Sequence, residues 1–445
     1  MPRLVHAAPK KLLTLLVAVA LAAVMTAGTV PAHAAATGSL VISALDMLQR
    51  NYVDPVNPTQ LLNAAIATVR QETHANSITL PDIPAGASAM EAQQTFLDEF
   101  NRAAQLGTVP EDQLAYDATS GMLESLHDSH VYYMDPSRFQ ENRQALEGNP
   151  GFSGIGIMIT GQADGAGVHW VFVDNVFPGS PAEAAGLKRF DRIISVDGKS
   201  LRDGTVQQAS QLIRGPAGSP VVLTIDRAGQ TQQVTVTRAP IQARPVTAQF
   251  VQPGVAYVRL FEFSKYAARD VRSGLADLAQ QGQIRSVILD LRGNPGGLIS
   301  EAVGVASLFL PNGTPLAKIS DRDSSNTLRT MGPGQYADVP LVVLTNGGSA
   351  SGSEILAAAF KDLHRGQIVG EKTAGALGGA IDVALPEGGM SITVERITSP
   401  QGHVVEAVGV SPDVPVALGE SDMEQGVDTQ LQAALRAAGP VGLHP

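Results

Sequence analysis

The chain has 445 residues, 44% hydrophobic and 16% charged, with 45 glycines and 28 prolines, which describes several folded domains with many turns rather than a disordered or coiled-coil chain. A net charge of −11, from 31 basic and 42 acidic side chains, argues against a nucleic-acid partner, which needs a clustered positive field. The absence of cysteine excludes a disulfide scaffold, a thiol nucleophile and a thiolate metal site.

Residues 1–34 read as a secretory signal. Arg3, Lys10 and Lys11 form a basic start, an apolar run follows from Leu12 to about Gly28, and Ala32-His33-Ala34 places small residues before a cleavage point at Ala35. The rival reading is an uncleaved anchor, for which the run is near the lower length limit. Cleavage would remove three positive charges and leave a mature chain of 411 residues at −14. Export without cysteine suits a bacterial envelope protein, and the mature chain has no membrane span.

Residues 35–149 carry a helical pattern from Gly38 to about Gln144. Ser43 to Leu48 opens it, Asn63 to Val69 continues it, Ser77 to Ser88 is a loop, and a helix runs from Tyr116 to near Leu126. From 150 to 242 the period changes to two. Strands are expected at Ile155–Ile159, Val168–Val173, Arg192–Val196, Val221–Ile225 and Gln233–Thr237, with helices at Pro181–Ala185 and Thr205–Arg214. From 243 to 420 strand and helix alternate. Strands are expected at Gly254–Leu260, Ser286–Leu291 and Pro340–Thr345, and helices at Tyr266–Gln281, Ile299–Leu310 and Ser353–His364. The last two strands are too apolar to face water on either side, so the expected fold class is α/β with helices on the faces of a sheet. Residues 421–445 form a tail or helix.

Two family resemblances are carried by motifs. Gly151-Phe152-Ser153-Gly154-Ile155-Gly156-Ile157, Pro178 to Leu187 and Asp191 to Gly198 resemble a PDZ domain. The resemblance implies that Gly154, Ile155, Gly156 and Ile157 form a loop whose N–H groups receive a chain-terminal carboxylate, the peptide then adding to a sheet edge. The alternative is a domain that only spaces or gates other parts. Asp290 to Gly297, Thr345 to Leu356 and Gly402 to Val416 resemble the S41 class of carboxyl-terminal processing (tail-specific) serine proteases. That resemblance implies a crotonase/ClpP-like core with an inserted PDZ domain, protein or peptide substrates with free C-termini, and no cofactor.

Ser351 stands where an apolar strand gives way to a helix, near N–H groups able to stabilise an oxyanion. The resemblance makes Ser351 the nucleophile and the N–H groups of Gly297 and Gly352 the oxyanion donors; the plain alternative is a helix-capping serine. The lysine that serves as base in tail-specific members falls on Ala376, and the glutamine on Ala380. Lys372 lies four positions earlier. Ser129-His130 is similar to the serine–histidine pair of the tricorn-type branch, and Glu406 matches that branch's glutamate. His130 as base, supported by Glu406 and Ser129, is chemically sound because imidazole titrates near neutrality. His127, Asp128 and His130 lack the partners of a metal site, so no metal is expected. The function expected is an exported serine endopeptidase cutting proteins near their C-termini. The alternative is an inactive PDZ-bearing adaptor that binds tails without hydrolysis.

Overall fold

Four amphipathic helices open the computed structural model, which describes residues 37–74, 80–147, 153–163, 168–241 and 245–439. The expected signal segment and its cleavage point lie outside these residues, as do Gly151 and Phe152. The helices span Gly38–Asn51, Pro58–Thr73, Ala89–Ala104 and Glu111–Glu124. Thr37 and Asn57 cap the first two, and Ser88 with Glu91 forms a capping box on the third. Their inner faces bury Leu45, Leu62, Phe96, Phe100 and Met122 in one cluster. The fourth helix begins five residues before the expected Tyr116, because Pro110 stops the preceding chain and Glu111 and Asp112 suit a helix N-terminus.

The helical reading of this region fails at Tyr132–Met134, which is a strand. It pairs antiparallel with the Gly389–Thr398 strand, Tyr132 opposite Ser391. Met390 and Ile392 of that partner pack among the helices, so the helical segment is sewn to the sheet that follows. Tyr132 and its partner Ser391 are 259 residues apart along the chain, which leaves no local periodicity to read.

The next unit is an antiparallel sheet. Its strands are Ile157–Ala163, His169–Val176, Arg192–Val196, Pro220–Arg227 and Gln230–Thr237, hydrogen-bonded in that order. A separate pairing of Ser153–Gly154 with Ala239–Pro240 closes it. Helices Pro181–Ala184 and Val206–Ile213 accompany it, the second boxed by Thr205 and Gln208. Val171, Val173, Ile193, Leu223 and Ile225 form its core.

The core domain holds two sheets. The first has six strands in the order Val246–Gln252, Val255–Leu260, Ser286–Asp290, Leu341–Thr345, Gln367–Gly370 and Val414–Pro415, antiparallel at the first pair and parallel after it. Val258, Val287, Leu289 and Val343 face the helices Ala267–Gln281, Ile299–Phe309 and Gly352–Asp362. Val255, Ile288, Val342 and Val369 face the C-terminal helix Thr429–Ala437 through Ala433 and Ala434. Both faces are covered, which is why the central strands are mostly apolar, the buried Arg259 and Asp290 being charged exceptions. The second sheet joins Pro315–Ser320, Ser325–Arg329, Gly378–Ala384 and Gly389–Thr398 to the Tyr132 strand. Among the described residues no helix is long and apolar enough to cross a membrane.

Charged side chains fix the small antiparallel unit to the core. Asp174 of that unit pairs with Arg259 and Arg189, and Arg189 also pairs with Asp428 before the C-terminal helix. Arg292, fully buried, reaches Asp290 at 2.5 Å and Asp428 at 2.9 Å. Burial alone would raise the Asp290 carboxyl, but Arg292 and Arg259 hold it well below the usual carboxylate range.

Candidate active site

Ser351 sits at the turn between the Leu341–Thr345 strand and the Gly352–Asp362 helix, with φ 52 and ψ −113. That backbone is costly for a residue with a Cβ, and such strain is kept where surrounding structure over-determines it. Two glycine-rich turns supply the constraint. Asn294 accepts the Gly296 N–H through its side chain and the Ala350 N–H through its carbonyl, while the Ser353 hydroxyl also donates to that carbonyl. Asn346 receives the N–H groups of Gly293 and Gly348, and the Ser349 hydroxyl donates to the Leu291 carbonyl.

Glycine is required at two points of this clamp. Gly296 and Gly297 have φ of 103 and 133. A Cβ on Gly296 would stand 2.6 Å from the Ser351 Cβ, and one on Gly297 would stand 2.7 Å from the Phe263 carbonyl oxygen. The Gly297 and Gly352 N–H groups have no hydrogen-bond acceptor among the described residues. The Ser351 side chain makes no capping hydrogen bond to the helix it precedes. Its hydroxyl has no hydrogen-bond partner among the described residues.

Glu354, one helical turn after Ser351 and fully buried, holds the far wall. Its carboxylate accepts from the Thr373 hydroxyl at 2.6 Å, Gly375 N–H at 2.7 Å, Ala376 N–H at 2.8 Å and Ser351 N–H at 3.1 Å. Sequence reasoning assigned Glu354 no role, although the Ser351-x-x-Glu354 spacing is that of a capping box. Ala376 is drawn against the serine, its carbonyl accepting the Ser351 N–H at 3.0 Å. Ala380 lies further along, in the Gly378–Ala384 strand. Lys372 is exposed and lies against Gly409.

His130 and Glu406 meet. His130 Nε2 is 3.2 Å from Glu406 Oε2 and 3.1 Å from the Gly378 backbone nitrogen. Glu406 also accepts the Leu377 N–H at 2.6 Å. The imidazole therefore stands beside the chain that leaves Ala376, two residues from the Ser351 contact. The structure does not join His130 to Ser351 by a hydrogen bond. Ser129 is exposed on the same side as His130 and lines the same cleft, of about 510 Å³. In the antiparallel unit, Gly154, Ile155, Gly156 and Ile157 line a small cavity of about 70 Å³ with Phe177, Ile213 and Ile241.

A strained serine at a strand-to-helix turn, packed on a glycine turn with free N–H groups, is the arrangement of a serine hydrolase. Comparison with known proteins narrows the class. Residues 254–416 match peptidase family S41 and residues 172–227 match the PDZ domain. The carboxy-terminal-processing protease of Bartonella bacilliformis is 32% identical over 348 residues, covering 76% of this chain and 77% of that protein. The carboxyl-terminal-processing protease of Picosynechococcus is 35% identical over 332 residues, covering 72% and 78%. The solved photosystem II D1 C-terminal processing protease superposes with a TM-score of 0.54 at 29% identity, covering 91% of this chain and 97% of that one. The chain belongs to peptidase family S41, and it is a PDZ-containing serine peptidase of the carboxyl-terminal-processing kind.

Proposed function

We propose that this chain hydrolyses protein substrates near free carboxyl termini with Ser351 as nucleophile and His130 as general base. The observation that carries the reading is the strained Ser351 turn seated on Gly296 and Gly297, with the Gly297 and Gly352 N–H groups unoccupied beside it. In the reaction Ser351 Oγ bonds to the substrate carbonyl carbon and its proton passes to His130 Nδ1, in the tautomer whose Nε2–H donates to Glu406. The two N–H groups hold the oxyanion. The C–N bond then breaks, His130 returns the proton to the leaving amine, and water releases the acyl group by the reverse sequence. Glu406 faces the imidazolium formed midway and stabilises it, with Ser129 beside the pair. The His130–Ser351 contact closes when substrate seats, as catalytic hydrogen bonds commonly tighten in the bound complex. Gly154 to Ile157 receive the substrate's terminal carboxylate, and export rests on the layout of residues 1–34.

Ser351→Ala and His130→Ala should each abolish cleavage of an unstructured protein, and their combined loss should be no larger than either alone. Both should still bind a tail peptide, and amidating that peptide should weaken binding. Equal cleavage by His130→Ala overturns the histidine base. The adaptor reading has one observation in its favour, the alanine methyl at position 376 where a lysine amine would stand beside Ser351. Tail binding with no cleavage by the wild type would establish it. An N-terminus at Ala35 in the protein recovered from an envelope fraction, read by mass spectrometry, tests export.

A further inference from the structure

The cleft beside His130 runs between the helical segment and the second sheet and has a volume of about 510 Å³, within the range of ligand pockets. Gly375, Leu377 and Gly378 line it on either side of Ala376, whose carbonyl holds the Ser351 N–H. Its walls carry Asp54, Asp128, Glu395 and Glu406 against the single guanidinium of Arg396. Three of the carboxylates have partners. Asp54 pairs with Arg396, Asp128 accepts from the Tyr52 hydroxyl at 3.2 Å and the His130 N–H at 2.9 Å, and Glu406 meets His130 and Leu377.

Glu395 is different. It is half-buried, and its carboxylate has no hydrogen bond or ion pair among the described residues. Burial, with Asp321 nearby, raises its carboxyl above the usual range. Two residues earlier, across a bulge in the same strand, Thr393 also lines the cleft, with 6% of its surface exposed. Its buried Oγ1 has no hydrogen-bond partner among the described residues. An unpaired carboxylate and an orphaned hydroxyl lining one cleft offer acceptors that a cation with several N–H donors would satisfy.

Resting on the reading of Ser351 as nucleophile, we propose that this cleft is a subsite for a basic side chain, lysine or arginine, on a substrate residue flanking the scissile bond. Glu395 is its charge partner and Thr393 its hydrogen-bond acceptor. The remaining cleft carboxylates supply a field that draws the cation in and repels acidic residues.

The test uses the mature chain and acetylated, amidated peptides differing at one position in lysine, arginine, norleucine or glutamate. Amidation removes the terminal carboxylate from the comparison. Cleavage is read as kcat/KM with the cut mapped by mass, and binding by anisotropy on the Ser351→Ala protein. Lysine and arginine peptides should exceed norleucine by about tenfold or more, with glutamate lowest, as a charge-assisted hydrogen bond requires. Glu395→Gln should remove most of that preference and leave the norleucine peptide unchanged; Glu395→Lys should favour glutamate. Equal rates and affinities for lysine and norleucine, or a preference untouched by Glu395→Gln, overturn the subsite. Absence of cleavage both of these peptides and of an unstructured protein with a free carboxyl terminus, assayed alongside, overturns the protease reading instead. The binding arm then decides the cleft: a lysine preference lost in Ser351→Ala carrying Glu395→Gln upholds its cation chemistry, and no preference removes it.

Discussion

A single carboxylate does much of the positioning at this site. Glu354 ties the strained serine to residues 373–376 through four hydrogen bonds, so the wall on which a base would stand and the nucleophile share one anchor. Glu354→Gln keeps the size but replaces one acceptor oxygen by a donor. It should lower kcat by roughly 10–100-fold with KM nearly unchanged, since a small misplacement costs rate more than binding. A variant that loses kcat and KM in other proportions, or none, would separate Glu354 from Ser351. A second acid behaves differently. Glu262, next to the Phe263 that packs on Gly297, has no hydrogen bond or ion pair among the described residues, and burial pushes its carboxyl up to about 7. In the unfolded chain the same group titrates near ~4.3. The folded state therefore holds the proton more tightly, and stability falls as pH rises from that value through 7. Glu262→Gln should raise stability at pH 8 by about 1–3 kcal/mol and leave it unchanged near pH 4, measured by urea unfolding.

At the scale of the element, the site is the meeting of two turns rather than a property of either. The 293–297 turn closes one parallel strand and the 346–351 turn closes its neighbour, and their peptide groups interlock through Asn294 and Asn346. Gly296→Ala should show the tightness of that fit. The new methyl collides with the Ser351 Cβ and the backbone is already at φ 103. A loss of about 1–3 kcal/mol and a far larger fall in activity are expected from thermal unfolding and cleavage rates measured together. Unchanged activity would mean that the two turns move independently. These turns were legible in the sequence because glycines and serines follow two strands that are mostly apolar. The edges of the second sheet were not. Gly378–Ala384 and Ser325–Arg329 lack alternation, since one is rich in glycine and alanine and the other is largely exposed. Their strand state is set by partners and not by their own residues.

Across the whole molecule, three parts converge on Asp428. It sits before the C-terminal helix, meets Arg292 of the core at 2.9 Å and pairs with Arg189 of the PDZ unit. Phe172 and Phe190 of that unit close over Met423 beside it. Burial would raise the Asp428 carboxyl, but Arg292 and Arg189 hold it down at about 2. A carboxyl depressed in the folded state contributes stability above its unfolded value near ~3.9, and that contribution is lost as pH falls toward 2. Asp428→Asn should cost about 2 kcal/mol or more at pH 7, with the deficit shrinking as pH falls from 4 to 2, measured by urea unfolding. A deficit independent of pH would place the effect in packing instead.

The sequence alone determined the α/β class, because strands buried on both faces read as near-continuous apolar runs. It also determined Ser351 as the residue to test, because a strand running into Gly-Gly-Ser-Ala-Ser-Gly and a helix is a local pattern. His130 and Glu406 were paired only by the family resemblance, since no local pattern joins residues 276 apart. Tertiary structure alone brought the Tyr132 strand into the second sheet, made Glu354 the anchor of the serine, and left Glu395 and Thr393 unpartnered in one cleft. Each of these depends on which distant groups fill a side chain's hydrogen bonds. Local periodicity records which face is buried, and it carries no record of the partner found there.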